Sequence, residues 1–104
     1  MSESSSPSDV LAAVVGRVLE VGASEMEVQY EDGCEQVFAL RGRVGVGIAS
    51  LESGSEEAKA LRAALHAIGR KKRDLQVAGR RYELRVRIHD DFGEDAFHVT
   101  IKAS

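Results

Sequence analysis

Two hydrophobic periods share this chain. From Val10 to Leu19 the apolar residues recur at helical spacing: Val10, Leu11, Val14, Val15, Val18 and Leu19. Ser6-Pro7-Ser8-Asp9 ahead of them offers a capping serine, proline at the first helical position and an acid three residues after the cap. Five valines and Gly16 between residues 10 and 21 oppose a long helix. The pattern therefore predicts a short helix over Pro7 to Ala13 and a strand over Val15 to Val21.

Strict alternation follows, with Met26, Val28 and Tyr30 separated by Glu27, Gln29 and Glu31, and Cys34, Phe38 and Leu40 continuing beyond Asp32-Gly33. A two-residue Asp-Gly turn would set Val28 against Val37 and split the apolar set between two faces. A three-residue loop, Glu31-Asp32-Gly33, keeps Met26 with Phe38 and Tyr30 with Cys34 on one face, and is the expectation. Gly42-Arg43-Val44-Gly45-Val46-Gly47-Ile48 reads as a bent strand or crossing segment.

A second helix is better marked. Ser53 with Glu56 forms a capping box, Gly69 supplies a stop, and Ala58, Leu61, Ala64, Leu65 and Ile68 make one stripe opposite Lys59, Arg62, His66 and Arg70. Beyond it, a Gly79-Arg80 turn would pair Val77 with Tyr82 and Leu75 with Leu84. A hairpin centred on Phe92-Gly93 pairs Ile88 with Phe97, Val86 with Val99 and Leu84 with Ile101, leaving Glu83-Lys102, Arg85-Thr100 and Arg87-His98 outward. That register sets Asp90 against Asp95 and Asp91 against Glu94, so the tip is expected to open. The pattern predicts an α+β domain in which two antiparallel meanders flank one amphipathic helix packed on the sheet, or a partly open barrel, with a short helix at the N-terminal end.

Composition bounds this picture. The chain has 104 residues, 43% of them hydrophobic and 30% charged, enough to bury one core, so residues 7 to 104 read as a single domain behind a polar tail of residues 1 to 6. Cys34 stands alone, which excludes an intramolecular disulfide framework and a Cys-x-x-Cys centre and makes a cytoplasmic setting the default. No basic start precedes an apolar signal segment, and no apolar run approaches membrane-spanning length.

The formal net charge of −3 conceals opposed patches. Residues 1 to 52 hold nine acidic and three basic side chains, whereas Lys59 to Arg87 holds ten basic residues against Asp74 and Glu83 alone. The sign reverses again at Asp90, Asp91, Glu94 and Asp95. The basic set, Lys59, Arg62, Arg70, Lys71, Lys72, Arg73, Arg80, Arg81, Arg85 and Arg87, is the candidate partner-binding surface. Its plainer reading is a solvated face, its sharper ones a protein partner or nucleic acid. Against nucleic acid, Tyr82 and Phe97 fall inward, so the outward strand faces lack stacking platforms there.

Other chemistry is thinly represented. The tip from His89 to His98 carries oxygen and imidazole groups but no EF-hand spacing, and an ordinary polar loop explains it. Gly22-Ala23-Ser24-Glu25-Met26 lacks the second glycine of a nucleophile elbow, Cys34 suits a packing role, and Gly45-Val46-Gly47 lacks the lysine of a phosphate loop. No enzyme, cofactor or metal site is expected. The expectation is a small non-enzymatic interaction or regulatory domain, partnered by another protein or a second copy, with RNA or DNA binding as the alternative. The valine-rich N-terminal segment would either dock such a partner or complete the domain's own core.

Overall fold

The computed structural model describes residues 7–69, 71–91 and 93–104. The expectations for the tail, Arg70 and Phe92 lie outside them. Among the described residues the protein is α+β, with two helices and a six-stranded antiparallel sheet that does not close. In chain order the elements are α1 (Pro7–Glu20), β1 (Glu25–Glu31), β2 (Cys34–Arg41), β3 (Val44–Glu52), α2 (Glu56–Ile68), β4 (Lys72–Val77), β5 (Arg80–Asp91) and β6 (Glu94–Ala103). The strands lie in the order β3-β2-β1-β6-β5-β4, so β1 and β6 meet at the centre and β3 and β4 are the edges.

The N-terminal segment is one helix, not a helix followed by a strand. Val10, Leu11, Val14, Val15 and Val18 are all buried. Burying this continuous stripe outweighs the weak helix propensity of valine, a case of tertiary packing overriding local preference. Gly16 has a role as well. A β-carbon there would lie 3.5 Å from Cγ1 of Val77, so the helix backbone runs close over β4. The stripe completes the domain's own core rather than waiting for a partner.

The first hairpin takes the rejected two-residue turn. Asp32 and Gly33 have φ of 53° and 80°, the doubly positive pattern of a type I′ turn, whose twist matches that of the strands. Val28 consequently pairs with Val37 and Glu27 with Phe38. The apolar set does split: Val37 and Ala39 face the helices, while Phe38 and Leu40 face the other way. A β-carbon on Gly45 would meet Cδ2 of Leu40 at 3.5 Å, and one on Gly47 would meet Cε1 of Phe38 at 3.9 Å. The two glycines thus let these side chains lie flat across the neighbouring strand.

The glycine-rich stretch is that neighbour, edge strand β3. A register shift between Val37 and Phe38 sets Ala49 against Val37 and Gly47 against Phe38, leaving Ile48 as an extra, buried residue. The cap of α2 also differs from expectation. Ser55, not Ser53, caps it, its Oγ accepting from the Ala58 N–H at 3.1 Å. The stop at Gly69 and the buried stripe Ala58, Leu61, Ala64, Leu65 and Ile68 are as read from the sequence.

At the C-terminal end, the turn residues are Ala78 and Gly79, with φ of 52° and 81°, and Leu75 pairs with Tyr82. The expected pairing is displaced by two residues, which preserves the faces because the side-chain period is also two. The β5–β6 register is the expected one throughout, from Leu84 with Ile101 to Ile88 with Phe97. The tip does not open: the ladder continues through Asp90 with Asp95 to Asp91 with Glu94. Solvent exposure of Asp90, Glu94 and Asp95 lowers the repulsion, and His66 of α2 approaches Asp95 at 3.2 Å.

Candidate functional site

Both helices cover one face of the sheet, because Met26, Val28, Val37, Leu84, Val86, Phe97 and Val99 all turn toward them and are buried. The intervening residues form an open face whose chemistry is graded across the strands. One cross-strand row runs Lys72, Arg85, Thr100, Glu25, Leu40, Gly45. The next runs Arg87, His98, Glu27, Phe38, Gly47. Both pass from basic on β5, joined in the first row by Lys72 of β4, through acidic on β1, to apolar on β2 over the glycines of β3. At the junction, His98 Nε2 lies 3.0 Å from Glu25 Oε1.

This geometry divides the basic set that the sequence gathered into one. Lys72, Arg81, Arg85 and Arg87 occupy the open face. Lys59 lies on the exposed side of α2, and Arg73 and Arg80 fall in register with the helix-side rows of β4 and β5. Lys71 sits in the turn before β4, and Arg70 lies outside the described residues. The continuous surface expected from α2 through β5 is interrupted by the sheet itself.

Arg62 has an internal task. Its Nη1 donates to Glu35 Oε2 at 2.9 Å and its Nη2 to the Ser53 carbonyl at 3.3 Å. Ser53 Oγ donates to the same carboxylate oxygen at 2.9 Å. Glu35 is 1% exposed, and its Oε1 has no partner among the described residues. The sequence offered a signal for this cluster. Glu35 shares the helix-side parity of Val37 and Ala39, so an acid in that row requires a cation above it. The three-residue loop placed that row on the wrong face and hid the requirement.

The remaining candidates resolve simply. His66, on α2, meets Phe97 edge to face, with ring centroids 5.1 Å apart, as well as Asp95. Cys34 is half-buried beside the first turn. Among the described residues no three His, Cys, Asp or Glu side chains converge as metal ligands, and no helix is long and apolar enough to cross a membrane. Comparison with models of known families gives no match for this chain, and no curated protein matches it either. What the protein does must therefore be argued from the open face.

Proposed function

We propose that this domain is a non-enzymatic protein-recognition module of the cytoplasm, and that the open face of its sheet is the contact surface. The observation that carries this reading is the paired cross-strand rows, in which Lys72, Arg85 and Arg87 adjoin Glu25 and Glu27 and then Phe38 and Leu40. A partner surface with complementary charge and a small apolar patch fits all three zones, and opposed potentials of this kind set orientation and association rate. A nucleic acid fits one zone only. Phosphates attracted to Arg85 and Arg87 would meet the acidic row of β1 within two strands.

Capture from cell lysate on the immobilised chain tests the reading, with an Arg85→Glu/Arg87→Glu variant and a Lys59→Glu control on the helix side. Proteins retained by the parent and by the control, but lost from the double variant, are the expected result. If the double variant retains the same proteins, the open basic zone is not the contact. If the parent itself retains no protein but binds labelled RNA or DNA in fluorescence anisotropy at physiological salt, the nucleic-acid reading replaces this one.

A further inference from the structure

The basic zone borders a strand edge that the sheet leaves uncovered. β5 has twelve residues and β4 only six. Their pairing ends at Lys72 with Arg85. Among the described residues, β5 from Val86 to Asp90 is bonded to β6 on one side and to no strand on the other. Alternate residues there turn N–H and C=O groups outward, the arrangement that accepts an added strand. Neither proline nor a register shift interrupts this stretch, although both are common protections of an edge.

A hollow of about 1000 Å³ starts at the edge, where Gly69, Lys72, Ile88 and His89 line it, and extends across the open face to His98 and Glu25. Gly69 contributes no side chain to fill it. The two sides of the edge differ in chemistry. Toward the open face stand Lys72, Arg85 and Arg87. Toward the helices stands Ile88, which is 38% exposed. A strand laid here would present its own side chains alternately to a basic side and to an apolar one.

We infer that the free edge of β5 binds an extended acidic segment of a protein partner as an additional strand, with acidic and apolar residues alternating in that segment. This rests on the reading of the open face as a recognition surface and adds the binding mode and the partner's sequence pattern. Main-chain hydrogen bonds to residues 86 to 90 hold the segment, its carboxylates face Lys72 and Arg87, and its apolar residues cover Ile88. Phosphate groups of a nucleic acid could not satisfy the outward carbonyls of the edge.

Selection of random octapeptides against the folded full chain supplies the probe, and the selected peptide is then resynthesised in two forms, N-methylated at odd or at even positions. The expected peptide alternates acidic and apolar residues. One N-methylated form binds at least about tenfold more weakly than the other, since only one set of amides faces β5. Saturation with the peptide slows amide exchange within residues 86–90, and Arg87→Glu weakens binding by about tenfold or more. Selected peptides without acidic residues, no selected peptide at all, or displacement by oligothymidine that binds more tightly would each overturn the inference. Equal binding of the two N-methylated forms, with sensitivity to Arg85→Glu/Arg87→Glu retained, overturns strand addition alone and leaves the open-face reading standing. Indifference to that double variant overturns both.

Discussion

Replacing Arg62 by methionine removes the only cation within bonding distance of Glu35 among the described residues and leaves the carboxylate buried. Glu35 then keeps one hydrogen bond, from Ser53 Oγ, for a group that is 1% exposed. Breaking a buried ion pair from one side costs about 3–5 kcal/mol. Arg62 is 31% exposed, so water reaches its end of the pair, and the expected loss falls to about 2–4 kcal/mol. With a urea slope of about 2 kcal/mol per M, the middle of the range for small domains, the unfolding midpoint should drop by roughly 1–2 M. The double replacement Glu35→Met/Arg62→Met separates this from a packing defect. With no charge left to bury, it should recover to within about 1 kcal/mol of the parent. Urea unfolding followed by circular dichroism measures all four members of the cycle. A single Arg62→Met variant as stable as the parent, or a double variant no better than the single, would refute the claim that the pair is a buried electrostatic unit.

Three further outcomes are expected from local geometry. Gly16→Ala should stabilise the protein by about 0.5–1 kcal/mol, because it adds helix propensity and its β-carbon meets Val77 at an ordinary 3.5 Å; a lower melting temperature would show that α1 sits closer to β4 than described. Ala78→Asn relieves a left-handed conformation (φ 52°) that alanine tolerates poorly, and should raise stability by about 0.5–1 kcal/mol in urea titrations. Asp90→Asn removes a like-charge cross-strand partner of Asp95; a gain of a few tenths of a kcal/mol that shrinks with added salt is expected in thermal melts at low and high ionic strength.

Much of the fold could be read along the chain, and the failures share a physical origin. The β5–β6 register was legible because both faces agreed on it: Leu84, Val86 and Ile88 met Ile101, Val99 and Phe97, while Arg85 and Arg87 met Thr100 and His98. The stripe of α2 was equally plain. The first hairpin misled because gathering apolar side chains on one face is sound only when the other face has no apolar use. Here Phe38 and Leu40 cover glycines of β3, a relation between strands that neither strand announces alone. The N-terminal helix misled for the opposite reason, since its propensities were judged without the burial that decides them.

The candidate site was legible as a list of charges but not as a surface. Arg85 and Arg87 could be placed outward from alternation. That the sheet would stand between them and Lys59, or that Arg62 would turn to Glu35, depends on which face the helices cover. The uncovered edge of β5 depended on the lengths of β4 and β5, which turn signals leave loose by a few residues.

Pairing β1 with β6 at the middle of the sheet also sets an order in time. Met26 and Val99 are partners, and roughly 70 residues separate their synthesis, which at about 5–20 residues per second takes some 4–14 s. Throughout that interval the nascent chain carries β1 with one side unpaired and the valines of α1 without the strands that later cover them. The central seam cannot close until β6 emerges from the ribosome. Intolerance of truncation at β6 follows from the strand order.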